Sequence, residues 1–199
     1  MNNYLLKSKL GYGGMATVYL ARDNKFDSNV AVKMLNKEFV HNDNIRKRFL
    51  AEARSMYRMS HPNIIKVTDL VDDGDTVAFV MEYVEGETLK EYLERKGKLN
   101  DEEIKFIFLQ MLEALAYVHK KNLVHRDIKP SNFMIDDEGK VKLMDFGIAK
   151  TGEPSQETQT GAWAFSPGFA PPEQVSGMRT GPYSDQYSLA ATLYYLFTG

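Results

Sequence analysis

The 199-residue sequence contains no cysteine, which excludes disulfide bridges and thiolate-held metals and fits a reducing cytoplasm. It shows no internal repeat and no apolar run long enough to cross a bilayer, and its opening residues do not read as a secretory leader. Neither sign of charge dominates: 25 Lys and Arg stand against 27 Asp and Glu, a formal net charge of −2. No basic patch with interleaved aromatics occurs, so nucleic acid is not implied as a partner. The hydrophobic fraction of 43% is ordinary, and the length allows one large core or two small ones.

What is present is a concentration of chemistry near the middle of the chain. His125-Arg126-Asp127-Ile128-Lys129-Pro130-Ser131-Asn132 is followed, thirteen residues after Asn132, by Asp145-Phe146-Gly147. These residues suit the movement of a phosphoryl group, which asks a protein mainly for positioning and electrostatics. Asp127 is suited to accept a hydroxyl proton, Lys129 to steady the charge on the moving phosphate, and Asn132 and Asp145 to hold Mg²⁺. Phe133-Met134-Ile135, the turn Asp136-Asp137-Glu138-Gly139 and Val141-Lys142-Leu143-Met144 predict a hairpin that brings Asn132 and Asp145 together.

Upstream, Leu10-Gly11-Tyr12-Gly13-Gly14-Met15-Ala16-Thr17-Val18-Tyr19 lies between strand-like stretches at 4–10 and 17–21. Its glycines suit close approach of backbone to phosphate oxygens, although a plain glycine-rich hairpin turn reads similarly. Val30-Ala31-Val32-Lys33-Met34-Leu35 is a β-branched run with Lys33 on the face of Ala31 and Leu35. A snorkelling edge lysine is the bland alternative there. Over 44–59 Ile45, Phe49 and Met56 recur at helical spacing, with Glu52 inside the apolar stripe. A carboxylate so placed needs a cation, and Lys33 is the candidate; leaning outward beside Arg48 or Arg54 is the other reading.

Residues 76–84 read as a core strand running into a connector. Asn100 followed by Glu103 predicts a capping box for a helix over 104–119. From Ile148 to Ala170 periodicity gives way to Gly, Ser, Thr, Pro and Gln, a composition expected of a functional loop. Ser184-Asp185 is expected to cap an apolar helix from Gln186 to Phe197.

Taken in order, these motifs resemble the eukaryotic-type protein kinases, most closely their bacterial serine/threonine members, over the whole chain. The resemblance implies an α+β, bilobal fold with a small β-rich lobe at 1–83 and a larger helical lobe at 84–199, the nucleotide lying between them. It implies transfer of the ATP γ-phosphate to Ser or Thr hydroxyls of proteins, this protein included, with Asp127 and Lys129 catalytic. Mg²⁺, or Mn²⁺ in its place, would be held by Asn132 and Asp145. The ATP contacts it implies are Leu10, Gly11, Gly13, Gly14, Val18, Ala31, Lys33, Glu52, Met81, Glu82, Val84 and Met134. Glu82 and Val84 would read the adenine edge, Met81 would guard the pocket behind it, and Met134 would pack under the ring. Arg126 would pair with phosphate on Thr158 or Thr160, Ser166 would contact Asp127 and Lys129, and dimers would support autophosphorylation.

The pattern departs from the family at Ala16, where a third glycine is usual, and at Phe169 and Pro171 before Pro172-Glu173. The family continues past the helix at 186–197, so the larger lobe is expected to be incomplete here, with reduced activity. A membrane tether beyond Gly199 is compatible with an otherwise cytoplasmic protein. Two other readings remain: a small-molecule kinase of related fold, and a pseudokinase that binds nucleotide without turnover.

Overall fold

The computed structural model describes residues 3–146 and 168–199. The chain divides into two compact units, one of residues 1–60 with 65–83, the other of residues 61–64 with 84–199. Placement of His61–Ile64 with the second unit departs from the sequence-based boundary. These residues leave helix α1 (Asp43–Tyr57) and bond into the later hairpin, as described below.

The first unit is an antiparallel sheet in the order β1-β2-β3-β5-β4, formed by β1 (Tyr4–Tyr12), β2 (Ala16–Asp23), β3 (Ser28–Leu35), β4 (Val67–Asp72) and β5 (Val77–Glu82). Directly paired residues share a face of an antiparallel sheet. Val18 opposes Lys33, which opposes Phe79; Leu20 opposes Ala31, which opposes Met81. The expected nucleotide contacts Val18, Ala31, Lys33 and Met81 therefore lie on one face. Ala21, Val32, Ala78 and Val80 form the core of the other, closed by Tyr4, Val30, Met34 and Val71.

Asn42 caps α1 by accepting from the Ile45 amide at 3.1 Å. The helix buries Phe49, Leu50, Glu52, Ala53 and Met56, and the Phe49 ring packs against Phe79 at 5.1 Å, tilted by 41°. Tyr4, at one sheet edge, donates its hydroxyl to Asp69 of the opposite edge strand at 2.7 Å. Burial, and then that hydrogen bond, push the Tyr4 phenol well above its ordinary pKa.

The second unit is built on α3 (Asp101–Lys120), whose Ile104, Ile107, Met111, Ala114, Leu115 and Val118 form a buried stripe. The expected Asn100–Glu103 capping box is present, with amide-to-side-chain bonds of 3.0 Å in both directions. A three-stranded sheet is formed by β6 (Gly86–Thr88), β7 (Phe133–Asp136) and β8 (Val141–Leu143); β7 and β8 are the predicted hairpin, and α2 (Leu89–Lys96), which follows β6 directly, packs on β6 and β7. Gly86 is required: a Cβ there would sit 2.2 Å from the Ile135 carbonyl oxygen. Asn63 pins the hairpin, donating to Val141 O at 2.8 Å and Gln110 Oε1 at 2.9 Å, while its carbonyl accepts from Leu143 N.

A short helix, α4 (Pro172–Val175), precedes α5 (Pro182–Thr198). The expected Ser184-Asp185 cap is wrong. Gly181 is the cap residue, and Pro182 opens the helix, its fixed φ suiting the first turn. Ser184 accepts from Gly181 N at 3.1 Å and donates to Glu173 at 2.6 Å. Asp185 is turned inward, 1% exposed. Tyr183, Tyr187, Tyr194 and Phe197 of α5 are exposed. Among the described residues no helix is long and apolar enough to cross a membrane.

Candidate active site

In the first unit, Lys33 Nζ stands 2.8 Å from Glu52 Oε1, with only 15% and 3% of the two side chains exposed. The ammonium also lies 5.5 Å from the centre of the Phe79 ring, a favourable cation–π position. The β-strand fixes Lys33 and the α1 stripe fixes Glu52, so the pair joins strand to helix as its spacing predicts. Lys33→Ala takes away the ammonium bonded to a buried carboxylate, a loss of about 3–5 kcal/mol. The double change Lys33→Met with Glu52→Leu is expected to recover most of that stability, measured by urea unfolding. Equal unfolding midpoints for Lys33→Ala and the parent would refute the pairing's importance.

The glycine-rich tip joins β1 and β2. Gly13 N donates to Ala16 O at 2.8 Å, closing the turn, and Cβ atoms at Gly11 or Gly14 would meet nothing within 4 Å. Ala16, in place of a third glycine, is buried and pairs with Leu35. Leu10 is exposed on β1 and Met81 is buried on β5. Glu82 accepts from Lys66 N through its side chain at 2.8 Å and donates its own amide to Lys66 O at 2.9 Å. Val84 lies in the second unit, as does Met134, opposite Thr88 and Lys142.

The second unit holds the polar cluster. Asn132 Nδ2 donates to Asp127 O at 2.7 Å and Asp127 Oδ2 at 2.9 Å, and Lys129 Nζ lies 3.3 Å from the same Oδ2. Both partners of Nδ2 are acceptors, so the amide nitrogen faces Asp127 and Oδ1 is turned away from it. Met144 N donates to Asn132 O at 2.9 Å, which sets the residue before Asp145 against Asn132, as the hairpin reading expects. An amide oxygen and a carboxylate on adjoining chain segments are the hard oxygen donors that Mg²⁺ prefers; the residues fit such an ion.

The loop carrying Asp127 is held by groups the sequence reading missed. Asp185 accepts from His125 N at 2.8 Å, from Arg126 N at 2.7 Å, and contacts His119 Nε2 at 2.8 Å. Its position 60 residues from His125, in the first turn of a helix, made it resemble a cap. Gln174 donates to Arg126 O at 3.0 Å. The Arg126 side chain donates to Thr180 at 2.8 Å, and burial lowers its guanidinium pKa, with Asp185 opposing. Arg126 (φ 67°) and Asp145 (φ 51°) both occupy the left-handed region, at a cost of about 1–2 kcal/mol for a non-glycine residue. Thr158, Thr160 and Ser166 lie outside the described residues.

His125 is wholly buried and uses both ring nitrogens. Asp127 N donates to Nδ1 at 3.2 Å, so Nε2 carries the hydrogen and donates to Met144 O at 3.1 Å. The neutral ring thus links the Asp127 loop to the segment leading into Asp145, and it packs 4.7 Å from Phe146. Burial lowers its pKa, outweighing the opposing pull of Asp185 and the Met144 carbonyl, followed by Asp127 and Asp145. The unfolded imidazole takes a proton below about pH 6.5 while the folded one stays neutral. Stability is therefore unaffected by this group above that pH, falls as pH drops below it, and levels off below the lowered folded value. Urea unfolding at pH 7.5 and 5.0 is expected to show a smaller acid loss in His125→Gln than in the parent. Equal losses would contradict the assignment.

A protein kinase domain model matches residues 4–199, and the chain belongs to that family. It is 41% identical over 198 residues to a probable serine/threonine-protein kinase of Clostridium perfringens, covering 100% of this chain and 29% of that protein. It is 41% identical to the serine/threonine-protein kinase PrkC of Bacillus subtilis, covering 98% of this chain and 30% of the other. Among solved structures, the M. tuberculosis PknI kinase domain superposes with a TM-score of 0.76 at 30% identity, covering 98% of this chain and 72% of that one. The chain spans under a third of the length of these two curated relatives. Membership bears out the expected fold family and implies, for the family at large, use of ATP and a divalent metal on protein substrates.

Proposed function

We propose that this chain is the catalytic region of a protein serine/threonine kinase that moves the γ-phosphoryl group of ATP to Ser and Thr hydroxyls. The observation that carries the reading is the Asp127–Lys129–Asn132 cluster, bonded through Met144 to the chain leading into Asp145. Asp127 accepts the proton of the attacking hydroxyl, whose oxygen forms the new bond to phosphorus as the bond to ADP breaks. Lys129 sits where its ammonium offsets charge on the transferring group. Asn132 fixes the Asp127 carboxylate and backbone in one orientation. Asn132 and Asp145 would hold Mg²⁺, or Mn²⁺ in its place, which supplies charge neutralisation on the phosphates when bound.

In the other unit, Lys33, oriented by Glu52, supplies a fixed cation for phosphate oxygens, and the face of Val18, Ala31 and Met81 supplies apolar surface for a base. Arg126 offers a cation to a phosphate on Thr158 or Thr160, supporting activation by autophosphorylation between two copies in the cytosol. The test is incubation of the purified protein with γ-labelled ATP, Mg²⁺ and a mixed Ser/Thr/Tyr peptide. Label on serine or threonine supports the reading; label on tyrosine alone, or on no residue, sinks it.

A further inference from the structure

Asn36 directly follows β3, the strand that carries Lys33, and has an extended backbone (φ −64°, ψ 142°). All its polar groups are engaged. Its amide donates to Met15 O at 2.9 Å, and its carbonyl accepts from Phe39 N at 2.9 Å. Its side-chain oxygen accepts from Thr17 Oγ1 at 2.8 Å, and Nδ2 lies 3.5 Å from Gly13 O, a long contact. Gly13, Met15 and Thr17 are alternate residues of the glycine-rich tip. Side-chain positions at Gly11 and Gly14 open on empty space, whereas Ala16 and Thr17 are buried. The glycine half of the tip therefore depends on polar ties for its restraint.

We infer that Asn36 is a positioning residue, a latch that fixes the glycine-rich tip to the end of the Lys33 strand and so sets the affinity for the phosphates of a bound nucleotide. The inference rests on the nucleotide reading above. Phe39 N holds Asn36 itself in place, so the restraint runs from the 37–39 turn through Asn36 to the tip. A tip ordered before binding loses less conformational entropy when phosphate oxygens arrive. Ala16, buried at the base of the tip, acts in the same direction by removing glycine's freedom. The consequence is selective: Asn36 affects ligands that carry phosphates and spares those that present only the base and sugar.

The experiment measures calorimetric affinity for Mg-ATP and for adenosine, together with amide hydrogen exchange at residues 13–17, in the parent, Asn36→Ala, Asn36→Asp, Thr17→Val and the Ala/Val double variant. Asn36→Ala is expected to weaken ATP about three- to tenfold, the range of one net hydrogen bond. It should leave adenosine unchanged and speed exchange at 13–17. Asn36→Asp, which keeps the acceptor for Thr17, is expected to restore most of the ATP affinity. The double variant should be no weaker than Asn36→Ala, because both changes break one tie. Equal weakening of adenosine, unchanged exchange, or fully additive losses would overturn the latch. If the parent binds no Mg-ATP the nucleotide reading fails, and the exchange data decide separately whether Asn36 restrains the tip.

Discussion

Asp127→Asn is expected to lower phosphate transfer by about 10²–10⁴-fold, the usual contribution of a positioned general base, while Mg-ATP affinity stays within about twofold. The change is nearly isosteric, and one side-chain oxygen remains to accept from Asn132 Nδ2, which also keeps its bond to the Asp127 carbonyl. What disappears is the capacity to take a proton from the substrate hydroxyl. Single-turnover transfer and calorimetric binding, measured on the same preparation, separate the two properties. A variant that transfers phosphate at the parent's rate would remove Asp127 from the mechanism.

Asp185→Ala is expected to be the most damaging change for stability that leaves every group assigned to substrate or nucleotide in place. It strips the acceptor from two backbone amides, His125 N and Arg126 N, and from His119 Nε2, around a carboxylate only 1% exposed. Each buried donor left without a partner costs about 1–3 kcal/mol, so the loss should reach about 3 kcal/mol or more. The Asp127 loop would lose its anchor, and turnover should fall by at least about tenfold with little change in KM for ATP, since positioning errors act on the chemical step. Asp185→Asn retains one acceptor and should fall between. Urea unfolding and steady-state kinetics on both variants provide the check; an alanine variant with the parent's midpoint and kcat would show that the anchor is dispensable.

The contrast between these two residues shows what a sequence discloses. Asp127, Lys129 and Asn132 lie within one short string, and their cluster forms within a single turn of chain. Lys33 and Glu52 were legible because strand and helix periodicity each identify an ionisable residue on an apolar face. The Asn132–Asp145 neighbourhood followed from hairpin logic alone. Asp185 was not legible as an anchor: an acidic residue near the start of a helix has a local explanation, and its partners are remote in sequence. Asn63 was hidden similarly, since its ties to β8 depend on the tertiary course of residues 61–64, which sequence assigned to the other unit. The Asn36 tie lay beyond reach because it follows from the register of β2 against β3, and a one-residue slip would turn Thr17 to the opposite face.

The left-handed backbones of Arg126 and Asp145 bear on how this molecule would change under artificial selection. A library at these two positions, screened only for thermal persistence, should drift toward glycine and asparagine, which tolerate that geometry more readily. Each step would relax the backbone and discard a side chain to which the proposed function gives a role, regulatory for Arg126 and metal-holding for Asp145. A library screened for phosphate transfer should hold Asp145 despite the conformational penalty. The two screens would diverge at the same codons, and the size of that divergence would report how much folding stability the site gives up for its work.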